Sequence, residues 1–287
     1  MHPASSIIAF TTLSGLGFGL MAWLGLGGEP IGTAQAFLLS ALSVALAGAG
    51  LLASFLHLGQ PRRFLKAFTQ WRSSWLSREA VLAMATFVLF GLFAAAWVFL
   101  GVRARWLGIP AAALALATVF ATSMIYAQLR SVPRWRSPLT PLLFLLAALA
   151  GGALLSGETG PVPAWLLAAL GLVQLAAWAR GDGSLARSGT TLATATGLGA
   201  LGRLRLLAPP HTGANYLMRE MVHVIGRRHA LKLRIIGFLL AVAVPLGLVL
   251  AGLPLAAAPL HVLGMLVLRW LFFAEAEHVV GLYYGKG

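Results

Sequence analysis

Four stretches of the chain carry side chains able to move protons or hold a polar ligand. His57 closes an apolar run in Ser54-Phe55-Leu56-His57-Leu58-Gly59-Gln60-Pro61-Arg62-Arg63. An imidazole titrates near physiological pH, so at such a boundary it can hydrogen-bond a quinone-type carbonyl and pass it a proton, or simply cap the helix. Gly59 and Pro61 break the helix and turn Arg62 and Arg63 back toward the surface. Glu79 follows Ser77-Arg78 at the opening of the next apolar run, where a helix start favours a carboxylate. Tyr126 and Arg130 stand at the end of another run. The last stretch is Arg269-Trp270-Leu271-Phe272-Phe273-Ala274-Glu275-Ala276-Glu277-His278, followed by Tyr283-Tyr284. Three-residue spacing predicts Glu275 and His278 on one helical face. Ionisable groups in or at the end of a membrane helix are costly and often functional; Arg269 and the glutamates could instead pair with charges on neighbouring helices.

The elements that must position these residues follow from composition. The 287 residues are 59% hydrophobic and 10% charged, far from a soluble domain, in which about 25% are charged. A bilayer-spanning helix takes roughly 20 apolar residues. Apolar runs bounded by Gly, Pro and charge fall at 5–26, 34–57, 79–100, 107–128, 138–156, 162–179, 232–253 and 256–276, which predicts an all-α, polytopic bundle of eight spans forming one integral membrane domain, 1–287. The first run is read as a retained span, because the preceding Met-His-Pro-Ala has no Lys or Arg. Gly15 with Gly19, and Gly50 with Ser54, have the four-residue spacing that lets helix backbones approach.

Charge sets the orientation. Of 21 Lys and Arg, all but Arg103, Arg105 and Arg269 fall on the side that carries both termini of an eight-span chain. Lys and Arg accumulate on the cytoplasmic side, so both termini are expected there, in the inner membrane of a bacterium. Residues 181–231 form the one long connection. Its first half reads as an irregular segment laid against something, and 215–228 as an in-plane amphipathic helix with Leu217, Met221, Val224 and Ile225 on one face. The surplus of positive charge, net +14, suits an acidic partner. Arg62, Arg63, Arg72, Arg134, Arg136, Arg219, Arg227 and Arg228 are the docking candidates.

Cysteine is absent, which excludes disulfides, Cys-ligated zinc and iron-sulfur clusters held by this chain alone. His261 is expected at the far end of the last span, away from the other histidines, so no pair shares a depth on facing helices and no haem is expected.

Ser54 to Arg63, Leu76-Ser77-Arg78-Glu79, Val132-Pro133-Arg134-Trp135 with Thr140-Pro141, and the terminal Tyr-Tyr-Gly segment resemble the membrane anchor subunits of dimethyl sulfoxide reductase type molybdoenzymes. Within that group, Met1-His2-Pro3-Ala4, Asn215-Tyr216-Leu217-Met218 and Phe273 to His278 are most similar to the anchors of cytoplasmic sulfite dehydrogenases. The resemblance implies a haem-free anchor that docks an iron-sulfur subunit and a molybdopterin catalytic subunit and exchanges electrons with ubiquinone or menaquinone. It carries the family's quinol-site histidine onto His57 and its third-helix glutamate onto Glu79. The quinone would then sit among His57, Arg62, Glu79, Tyr126, Arg130, Arg269, Glu275, Glu277 and His278. The same pocket run in reverse would serve a sulfoxide, thiosulfate or polysulfide reductase. A transporter would show inverted repeats or charges near the midplane, a pattern that these boundary charges do not follow.

Overall fold

The computed structural model describes residues 2–27, 31–55, 66, 68–208, 211, 213, 215–221 and 229–284. Eight helices among them are long and apolar enough to cross a membrane: Ser5–Leu26, Thr33–Phe55, Trp75–Leu100, Arg105–Ala127, Leu139–Ser156, Val162–Gly181, Ala230–Leu250 and Pro254–Ala274. We number them as spans one to eight. The described residues contain no strand.

Two apolar cores divide the bundle. One is built on spans one to four and reaches Trp135, Phe144 and Phe273; the other joins spans five to eight. Span one is the most enclosed, with 72% of its apolar window buried, because it touches spans two, four and five. Gly19 meets the Ala148 backbone of span five, and Gly50 of span two meets the Ser14 backbone of span one, so closely that a methyl group at either would overlap main chain. Gly15, the other member of the first spaced pair, faces nothing; close approach to span two is made instead at Gly17, against Ala47.

Span seven contains a π-helical turn at Leu239–Ala243. Pro245 lies four residues after Ala241 and has no N–H to give its carbonyl. Nδ1 of His261, in span eight, donates to that carbonyl at 2.6 Å. His261 is therefore not a helix-end residue. It is fully buried in the second turn of span eight.

The 181–231 connection is more regular than its composition suggested, with short helices at Ser184–Arg187, Leu192–Thr196 and Tyr216–Glu220. It packs against both termini. The His2 backbone amide donates to the Glu220 carbonyl at 2.7 Å, the Tyr283 hydroxyl to the Ala195 carbonyl at 2.7 Å, and the Asn215 side-chain Nδ2 to the Tyr284 hydroxyl at 2.9 Å. The chain ends and the long connection thus share one end of the bundle, the basic end. The Asn215 side chain caps the helix at Tyr216–Glu220. Residues 222–228 of the expected amphipathic helix lie outside the described residues.

Candidate functional site

Span three begins earlier than the charge pattern implied. The Ser74 side chain accepts from the Ser77 amide and caps a helix that starts at Trp75. This moves Glu79 from the helix start into the second turn, where a dipole role no longer applies and the side chain turns inward. Glu79 is 3% exposed, and the Thr122 hydroxyl of span four donates to its Oε1. Deeper in the same seam, the hydroxyls of Thr86 and Thr118 lie 3.2 Å apart, both fully buried. Spans three and four are therefore joined by two polar rungs, of which sequence reading found only Glu79. The signal was present: Glu79 with Thr86 and Thr118 with Thr122 have the seven- and four-residue spacings of a single helical face.

Tyr126 ends the same face of span four and is buried in an aromatic cluster. Trp135 stands edge-on to it at 5.4 Å, Phe273 at 5.4 Å and Phe272 at 5.6 Å. It lies within electrostatic reach of both Glu79 and Arg269. Arg269 is buried in span eight with its guanidinium 3.6 Å from the Phe144 ring centroid. Its Nε has no hydrogen bond, and it makes no ion pair among the described residues. It borders a cavity of about 50 Å³ that also touches Gln174, Trp178, Arg134 and Glu275.

Glu275 has a different environment. Arg134 reaches it at 2.5 Å and Arg234 at 2.6 Å. The same two arginines reach Asp182 at 3.0 and 2.7 Å. The network ties the loop before span five to the ends of spans six and eight and the start of span seven. Hydrogen bonds from Arg234, and then from Arg134, prevail over partial burial and hold the Asp182 pKa at about 2. Asp182 and Arg234 were not singled out from sequence. With only 7 acidic residues in the chain, any carboxylate at a span end is a pairing candidate, which is the signal that could have found them.

The remaining expected residues disperse. Span eight stops at Ala274 with Glu275 as its C-cap, and the Val279 amide donates to the Ser131 carbonyl at 2.9 Å, drawing the chain away. Glu275 and His278 consequently do not share a helical face. Glu277 and His278 are half-buried beyond the helix, and burial lowers the His278 pKa. Arg130 and Arg136 are exposed and line a groove with Arg134. The carbonyls of Trp71 and Arg72 accept from Arg78 at 3.0 and 2.7 Å, and Arg72 itself is exposed. Arg219 is exposed in the Tyr216–Glu220 helix. His57, Arg62, Arg63, Arg227 and Arg228 lie outside the described residues. No group of three or more His, Asp or Glu able to hold a metal is found among the described residues.

The family model for the DMSO reductase anchor subunit (DmsC) matches residues 2–244. A sulfite dehydrogenase subunit of Allochromatium vinosum is 31% identical over 325 aligned residues, covering 99% of this chain and 99% of that one. No solved structure matches the chain. Eight membrane-length helices, the family match over most of the chain and the full-length relative lead to one conclusion: this multi-pass membrane protein belongs to the DMSO reductase anchor subunit (DmsC) family.

Proposed function

We propose that this chain is the quinone-reducing membrane anchor of a complex whose partner subunits oxidise sulfite. The observation that carries the proposal is the buried polar cluster at the basic end. Glu79 is held by one hydroxyl, Tyr126 is in reach of it and of Arg269, and Arg269 carries an unused buried Nε–H. A carboxylate and a guanidinium kept dry without pairing each other are suited to a ligand that arrives neutral and takes up protons. The full-length similarity to a sulfite dehydrogenase subunit supports sulfite as the electron source.

In this reading partner subunits that hold molybdopterin and iron-sulfur clusters oxidise sulfite with water to sulfate, releasing two electrons and two protons. The quinone, ubiquinone or menaquinone, supplies the two-electron, two-proton acceptor. His57 hydrogen-bonds its carbonyl and delivers one proton, Glu79 relays protons to the same region, and Arg62 and Arg269 favour the more negative reduced ring. Tyr126, Glu277 and His278 complete the surroundings, whereas the pairing of Glu275 with Arg134 and Arg234 makes it part of the clamp between spans. Arg72 and Arg219, with Arg62, Arg63, Arg227 and Arg228, form the docking surface for the acidic face of the iron-sulfur subunit. The charge bias supports a cytoplasmic basic end; with that orientation proton release and uptake occur on one side and no net charge crosses the bilayer.

The family description favours one other reading, a quinol-oxidising anchor of a DMSO reductase type complex. Purification of the complex with metal analysis and a sulfite-to-quinone assay separates the two. We expect sulfite-dependent quinone reduction that falls by roughly 10²-fold in His57→Ala, the usual scale for a positioned acid-base group. Quinol-dependent sulfoxide reduction without sulfite oxidation would establish the alternative.

A further inference from the structure

At the basic end, the loop before span five and the turn after span six enclose a groove of about 540 Å³ lined by Arg130, Arg134, Arg136, Arg180 and Arg187. The turn is built for this convergence. Gly183, at φ 71°, reverses the chain, and Arg187 then donates back to the carbonyls of Arg180 and Asp182. No carboxylate lines the groove. Arg134 is neutralised by Asp182 and Glu275, whereas Arg130, Arg136 and Arg180 make no ion pair among the described residues and are exposed. Like charges held together without a counter-ion repel, and a bound anion relieves the repulsion.

The lining indicates which anion. Ser184, Ser188 and Thr190 add hydroxyls, and Pro133 is the only apolar residue. A protein partner would be expected to find aromatic or aliphatic anchors, which carry most interface energy; a phosphate needs guanidinium and hydroxyl donors. The depth also fits a lipid. Arg180 lies in the last turn of span six and Arg130 is three residues past the end of span four, at headgroup level. Leu142 on span five and Leu172 and Leu175 on span six are exposed apolar side chains at 41, 70 and 49%, the kind of surface that acyl chains cover. We propose that this groove binds the phosphate headgroup of an anionic phospholipid, with cardiolipin and its two phosphates as the best match to the charge. The inference does not depend on the quinone reading.

The test uses the full chain in phosphatidylcholine nanodiscs with or without cardiolipin, read by thermal unfolding and by native mass spectrometry of retained lipid. Cardiolipin should raise the wild-type unfolding midpoint; absence of that rise overturns the proposal without reference to any variant. Arg130→Gln/Arg180→Gln should lose retained cardiolipin by roughly tenfold or more, given about 1 kcal/mol per arginine at an anionic surface. Arg203→Gln/Arg205→Gln removes equal charge from the long connection, outside the groove, and should stay near wild type. Equal loss in the two double variants would show diffuse attraction and sink the site. An equal stabilisation by inorganic phosphate would make free phosphate the ligand. Unchanged lipid retention in Arg130→Gln/Arg180→Gln would show that the lipid binds elsewhere and overturn the groove.

Discussion

Two charged clusters share the basic end of this bundle and are treated in opposite ways. Around Glu275, two arginines face two carboxylates across four span ends, and each charge has a partner within 3.0 Å. Around Tyr126, buried Glu79 has one threonine hydroxyl, and buried Arg269 has an aromatic face but no carboxylate. Compensated charge holds helices together, and its value lies in stability. Uncompensated charge in a low-dielectric interior destabilises the fold, so its retention points to a ligand or a proton. The first cluster is accordingly read as a clamp and the second as the site.

The largest effect is expected at Glu275. Glu275→Ala leaves Arg134 and Arg234 with only Asp182, and should cost on the order of 3 kcal/mol, the range for losing one partner of a buried pair. A lower thermal unfolding midpoint in detergent, with turnover per folded complex close to wild type, is the expected result. Loss of quinone-linked turnover in protein that unfolds normally would move Glu275 from clamp to site.

A smaller effect comes from acid. Asp182 binds its proton less tightly when folded, at about 2, than its ordinary value of 3.8. Its contribution to stability is therefore fully present above about pH 4 and fades as pH falls through that interval toward 2. Asp182→Asn should flatten this part of the unfolding-midpoint profile in detergent, by little because Asp182 is half exposed. An unchanged acid limb would mean that the ion pairs do not stabilise the clamp.

The spans were legible because a run of about 20 apolar residues has one plausible fate. What escaped were features set by contact. Ser74-Trp75-Leu76-Ser77-Arg78 reads as a polar interface, yet it is the first turn of span three, and that shift carries Glu79 from a cap into the interior. Pro245 is visible in the sequence, but nothing local says that the freed Ala241 carbonyl will find His261. The spacing of Glu275 and His278 presumes a helix through His278, but the helix ends at Ala274 and a hydrogen bond to Ser131 redirects the chain. The Arg134–Glu275 and Arg234–Asp182 pairs lie 141 and 52 residues apart, and no local pattern encodes such matches. At Glu79, Tyr126 and Arg269 the residue types were enough, since ionisable groups so close to apolar runs are rare.

If Glu79 serves the quinone and not the fold, Glu79→Gln separates the two roles. Glutamine keeps the shape and an oxygen for the Thr122 hydroxyl but cannot exchange a proton. In the purified complex, sulfite oxidation by membrane quinone should fall by roughly 10²-fold, while oxidation by an artificial acceptor that draws electrons from the partner subunits stays at the wild-type rate. Retention of both activities, or a parallel loss of both, would show that Glu79 does not serve the quinone.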